Sequence, residues 1–203
     1  MGYANLLTRE LIQEAKKYNP GSLRFACHRK AVGSIHSGEN HGFKRKAEFS
    51  FILCERLKPE KSTIAVQELS QDQDPYEKAQ GFPEYYKNYG FLFGSRWKFV
   101  PMEKELLVKL QGEGKILQTK EGKDLLIYDY DGEDLRLLFY AGRKEMVKQL
   151  ILALGEKEPG KLFKTMTLPM SKYNPIFQEL GFHMKGETEV ELPPNVFLYE
   201  YPL

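Results

Sequence analysis

An α/β fold with mixed sheets is predicted by three observations. Segments with apolar residues at helical spacing alternate with short runs of β-branched and aromatic residues. Three strand-like runs in the middle of the chain are joined by Glu121-Gly122 and Asp131-Gly132, pairs that suit tight antiparallel turns. The order helix, strand, short helix, Gly-Phe, closing strand occurs twice, at either end of the chain. The 203 residues are 41% hydrophobic and 13% aromatic, enough for a sizeable core and too apolar for a disordered chain.

Taken in order, residues 5–17 carry Leu7, Leu11, Ile12 and Ala15 on one helical face, and Asn19-Pro20-Gly21 stops that helix. Residues 23–27 read as a strand, 32–39 as a short helix stopped near Gly42, and 48–54 as a strand rich in β-formers. Residues 57–74 are polar and form a linker, with a short strand expected at 63–66. Asp74 then caps, and Pro75 opens, a helix directed toward Asn88. A strand is expected over 91–100. Pro101 is expected to open a helix with Leu106, Leu107 and Leu110 on one face. Strands over 115–118, 124–130 and 135–140 form a meander. A helix over 143–154 buries Met146, Val147, Leu150, Ile151 and Leu154. A strand over 162–166, a short helix over 172–180 ended by Gly181, and strands at Val190 and 196–201 complete the chain.

The net charge is only +2, which argues against nucleic acid as a partner, since neutralising many phosphates takes a basic chain. No apolar run approaches the ~20 residues that cross a bilayer, and the first ten residues carry no secretory pattern. A soluble cytoplasmic protein without a membrane partner is expected. Cys27 and Cys54 lie in apolar runs and are expected to be buried reduced thiols. Charge is uneven: residues 1–60 hold eleven Lys and Arg against six Glu.

The Gly-Phe pairs are Gly42-Phe43 and Gly181-Phe182. In each, Gly can end a helix in a left-handed turn and Phe can enter the core as the next strand begins. This order resembles the second half of a GNAT-superfamily N-acetyltransferase. Gly2-Tyr3-Ala4-Asn5, at the head of a helix, resembles the end of that family's Gln/Arg-x-x-Gly-x-Gly/Ala motif. The resemblance implies that Gly2, Tyr3, Ala4 and Asn5 hold the pyrophosphate of acetyl-coenzyme A, or another acyl-coenzyme A, as co-substrate. It implies no metal. The chain as a whole resembles the C-terminal part of a tandem GNAT protein: residues 1–56 as the C-terminal half of one domain, 57–74 as linker, and 75–203 as a divergent GNAT-like domain. The implied reaction is acyl transfer to a small-molecule or peptide amine. The alternative is a non-catalytic remnant acting as an interaction or regulatory module.

The departures from the family are specific. No fourth strand precedes 23–27, so a homodimer or a strand of the second half is expected to cover that edge. An upstream start encoding the missing half is the other explanation. The family's general-acid Tyr position falls on Gly38 in the first half and Phe177 in the second, neither with a hydroxyl, so no catalytic residue is assigned. In the second half only Tyr140-Ala141-Gly142-Arg143-Lys144 resembles the phosphate loop. Arg29, Lys30, Lys44, Arg45 and Lys46 read as a solvated basic face, and Asp129 and Asp131 as turn residues rather than paired catalytic carboxylates. His28, His36 and His41 lack the convergent spacing of a metal site, and neither a His nor Glu39 stands out as a base. The run of Phe82, Tyr85, Tyr86, Tyr89, Phe91, Phe93 and Trp97 reads as a packing seam between the halves.

Overall fold

The computed structural model describes residues 3–18, 20–88, 90–93, 99–184 and 194–202. The first repeat consists of α1 (Tyr3–Lys16), β1 (Ser22–His28), α2 (Val32–Asn40) and β2 (Lys44–Cys54). A middle section follows: β3 (Val66–Glu68), α3 (Pro75–Gln80), α4 (Pro83–Lys87), β4 (Phe91–Phe93), β5 (Phe99–Pro101), α5 (Lys104–Gly112), β6 (Ile116–Thr119), β7 (Leu125–Asp131) and β8 (Asp134–Ala141). The second repeat comprises α6 (Lys144–Lys157), β9 (Phe163–Thr167), α7 (Asn174–Leu180) and β10 (Val196–Pro202).

Four local expectations change. The helix expected to reach Asn88 is two helices, because Gly81 caps α3 and the chain restarts at Pro83, which has no N–H to continue the first. Asp74 does cap α3, its carboxylate accepting from the Tyr76 and Glu77 N–H groups. The run 91–100 is a hairpin, with Phe91 opposite Pro101 and Phe93 opposite Phe99. Pro101 therefore ends a strand, and α5 begins at Lys104 behind Glu103. The linker strand begins only at Val66. Val190 lies outside the described residues, as do Tyr89 and Trp97.

One eight-stranded sheet runs β1-β10-β2-β9-β8-β7-β6-β3, with β8 and β9 parallel and the other neighbours antiparallel. The order β1-β10-β2-β9 places each repeat's closing strand between the two strands of the other repeat. β10 pairs with β1 from Ser22–Pro202 to His28–Val196 and with β2 from Val196–Phe49 to Glu200–Lys44. The repeats keep a constant spacing of 139 positions from Gly21 to Gly160 and from Gly42 to Gly181. All four glycines have positive φ (69°, 78°, 90° and 96°), where a Cβ would be strained.

The core follows from this pairing. α6 and α7 bury Val147, Leu150, Ile151, Leu154, Ile176, Phe177 and Leu180 in one cluster that also takes Ile52 of β2 and Leu126 of β7. α3 and α5 bury Ala79, Leu107 and Leu110 against Leu125, Ile127 and Phe139 in another. A small third cluster joins Ile12 of α1, Cys27 of β1, Phe43 and Tyr199 of β10. The aromatic seam is real: Phe99 and Phe93 lie 4.8 and 5.8 Å from Phe49 of the first repeat, although Tyr86 is exposed. Cys27 and Cys54 are buried and form no disulfide. No helix among the described residues is long and apolar enough to cross a membrane.

Candidate functional site

The two repeats differ in what lies against the outer edge of the first strand. In the second repeat that edge is occupied by β8. The two parallel strands pair only at Leu135–Phe163 and Arg136–Lys164 and then part. A bulge in β8 accompanies the parting: Phe139 faces Ile127 and Leu137 faces Tyr128, leaving Leu138 as the extra residue.

Side chains of the protein bridge the splay. Thr165 Oγ1 donates to the Leu137 carbonyl at 2.9 Å, and the Tyr140 hydroxyl to the Met166 carbonyl at 2.9 Å. The single proton of the Tyr173 hydroxyl is shared between the Gly142 carbonyl at 2.9 Å and Glu84 at 3.0 Å, and Lys172 pairs with Glu84 at 2.8 Å. Burial pushes the Tyr140 and Tyr173 hydroxyls well above their usual range, with the Glu84 carboxylate adding to the effect at Tyr173. Burial alone would raise the Glu84 carboxyl, but Lys172 and Tyr173 outweigh it and hold the group ionised. A cavity of about 220 Å³ remains above Tyr140, Tyr173 and Glu84.

Arg143, which precedes the first turn of α6, is held by a buried carboxylate. Asp124, fully buried, accepts from the Arg143 N–H at 2.7 Å through Oδ1 and from the guanidinium at 2.6 Å through Oδ2; Thr119 donates to it at 2.9 Å. A Cβ on Gly142 would stand 2.6 Å from Asp124 Oδ1. The loop's glycine therefore makes room for an internal carboxylate. Here the residues present do not fit the pyrophosphate that the family's phosphate loop would hold.

The first repeat differs at the corresponding edge. Nothing among the described residues pairs with the outer edge of β1. A cavity of about 490 Å³ opens between α1, β1 and α2, lined by Thr8, Leu11, Leu23, Phe25, Ser37 and Phe43 among others. Asn5 Oδ1 accepts from the Ser37 hydroxyl at 3.1 Å, and Thr8 and Ser37 hydroxyls lie 3.3 Å apart. This ties the head of α1 to the cavity wall. Leu7 and Leu11 are 67% and 61% exposed, whereas Leu150, the counterpart of Leu11 at the 139-residue spacing, is fully buried by the middle section's strands.

The sequence-derived residues fall as follows. Gly2 lies outside the described residues, and Tyr3, Ala4 and Asn5 form the first turn of α1. Gly38 is buried with Phe25 against it, a Cβ there standing 2.5 Å from the Phe25 ring, so the position has no room for the family's Tyr. Phe177 is buried beside Tyr140 with ring centroids 5.1 Å apart. Glu39 accepts from Tyr199 of β10 at 3.2 Å. His41 Nδ1 lies 2.7 Å from the Ser37 carbonyl, and the Lys30 N–H donates to His28 Nδ1. No three His, Cys, Asp or Glu side chains among the described residues gather as metal ligands would. Asp129 pairs with Lys115 at 2.6 Å and Asp131 with Arg136 at 3.4 Å. In the basic run, Lys46 pairs with Glu200 and Arg45 with Glu48. Asp124 was missed in the sequence. The sequence places it as the first residue of a strand, which in the structure begins at Leu125, and no spacing rule ties position 124 to 143.

No protein-family model and no curated protein sequence matches the chain. Solved structures do. A GCN5-related N-acetyltransferase from Sphaerobacter thermophilus superposes with a TM-score of 0.58 at 11% identity over 96% of this chain and 65% of its own. A Pyrococcus horikoshii protein assigned as an acetyltransferase gives 0.62 at 10% identity over 100% and 60%. A conserved Staphylococcus epidermidis protein of unknown function gives 0.56 at 9% identity over 100% and 82%. The chain thus spans less than two thirds of the first two. At these identities the likeness defines the fold class: the mixed sheet with its splayed parallel pair is that of the GNAT acyltransferases.

Proposed function

We propose that the protein is an N-acyltransferase of GNAT type that uses acetyl-coenzyme A or another acyl-coenzyme A, with its cofactor cleft in the first repeat. The observation that carries this reading is the open 490 Å³ cavity between α1, β1 and α2, in the repeat whose first strand has no described partner on its outer edge. In the second repeat side chains bridge the strands and a smaller cavity of about 220 Å³ remains. Gly2, Tyr3, Ala4 and Asn5 would hold the pyrophosphate. The reaction forms an amide bond between the acceptor amine and the acyl carbon and breaks the thioester, the amine's proton leaving to water and the thiolate gaining one. The acceptor is a small-molecule or peptide amine, and the setting is the cytoplasm. The first repeat is the C-terminal half of a GNAT domain, within a tandem arrangement, and a second copy of the chain covers the β1 edge. Calorimetric titration of the full chain with acetyl-coenzyme A tests the reading. Saturable micromolar binding is expected, and Ser34→Trp, which fills the cavity, is expected to abolish it. No heat at millimolar cofactor would overturn the proposal in favour of a non-catalytic interaction module.

A further inference from the structure

We infer that the second repeat is a self-occupied copy: the Asp124 carboxylate stands at the head of α6 where a phosphate would bind, so the β8–β9 cleft takes no coenzyme A. Three features carry this. Asp124 has no solvent exposure and accepts from the Arg143 N–H and guanidinium together, two donors that a phosphate at this loop would also use. Gly142, whose missing Cβ could let a ligand approach the backbone, instead has Asp124 Oδ1 and the Lys123 carbonyl within 2.7 Å of that missing Cβ. The carbonyls of Leu137 and Met166 in the splay and of Gly142 in the loop are taken by Thr165, Tyr140 and Tyr173. A ligand arm in the splay would have to break these three bonds and displace a buried tyrosine. The chemistry of the site is that of a finished core, its polar groups paired internally.

The second repeat then contributes architecture. Its closing strand β10 supplies the partner of β1 and the inner neighbour of β2, with Tyr199 stacked on Phe25 at 5.0 Å and bonded to Glu39. The repeat that binds nothing at its own head completes the wall of the other.

The inference rests on the proposal that coenzyme A is the ligand, and amide NMR of the full chain separates the two. Titration with coenzyme A and with inorganic pyrophosphate is expected to leave the amides of 142–146 unmoved to millimolar ligand. Saturable shifts at those amides would overturn the inference. Silence at the head of α1 would overturn the proposed function and leave this inference standing. In Asp124→Ala, pyrophosphate is expected to shift the amides of 143–146 saturably. If that variant fails to fold, Asp124→Asn, which keeps the shape and removes the charge, is expected to do so. A folded variant still silent at 143–146 would show that the carboxylate is not what closes the site.

Discussion

Asp124 collects four hydrogen bonds on a side chain that meets no solvent, three of them from Arg143 and one from Thr119. Burial alone would raise its carboxyl, but the Arg143 guanidinium and N–H and the Thr119 hydroxyl hold it below the usual carboxylate range. A carboxyl lowered on folding stabilises the protein above its unfolded value near ~3.9 and loses that contribution as pH falls through the lower folded value. Acid unfolding of the wild type should therefore include an Asp124 component below about pH 4 that Asp124→Asn lacks. At neutral pH Asp124→Ala should cost about 2–4 kcal/mol, less than a fully buried pair because the Arg143 side chain is half exposed and rehydrates. Urea denaturation of both variants measures these effects, and an unchanged midpoint would refute them. Gly38 gives a second residue-scale outcome. Phe25 is held between Phe43 at 5.1 Å and Tyr199 at 5.0 Å, so its ring has little room to yield to a new Cβ. Gly38→Ala should lose about 1–3 kcal/mol through overpacking, although a helix position ordinarily gains from alanine.

Helices α1 and α6 are the same length, yet their apolar faces meet different fates. Leu150→Ala should cost about 2–5 kcal/mol, as a fully buried leucine does, while Leu11→Ala at the corresponding position should change stability by less than about 0.5 kcal/mol. Thermal melts of the two variants check the contrast. A large loss for Leu11→Ala would mean that the α1 face is covered in solution. Asp74→Ala should cost about 1 kcal/mol, since the side chain caps α3 and pairs with Lys104 at 2.5 Å. At this scale the helices were legible because a 3.6-residue period is a local property. Leu7, Leu11 and Ile12 announce α1 as clearly as Val147, Leu150 and Ile151 announce α6. What the period could not tell is which face would be covered, because that depends on strands from elsewhere in the chain. Pro101 misled for a related reason. It suits a helix start, and only the pairing of Phe91 with Pro101 shows that it ends a strand.

The whole sheet depends on β10. It is the described partner of β1 and it separates β1 from β2. Truncation before residue 195 should therefore destabilise the first repeat as well as the second. Hydrogen exchange would show this as lost protection across 22–28 and 44–50, and persistence of that protection would argue against a shared cooperative unit. The Gly-Phe pairs marked the recurring helix–strand–helix–strand order in the sequence, and the matching Pro20-Gly21 and Pro159-Gly160 were there to strengthen it. The exchange of closing strands was not legible. β2 and β10 both carry β-formers, and nothing local distinguishes pairing with one's own repeat from pairing with the other. The exchange also sets a clock during synthesis. β1 leaves the ribosome 168 positions before β10, from His28 to Val196. At ~5–20 residues per second, its backbone waits roughly 8–35 s for its partner. The nascent chain thus carries an unpaired apolar strand throughout that interval, and should lean on chaperones in proportion to how slowly it is made.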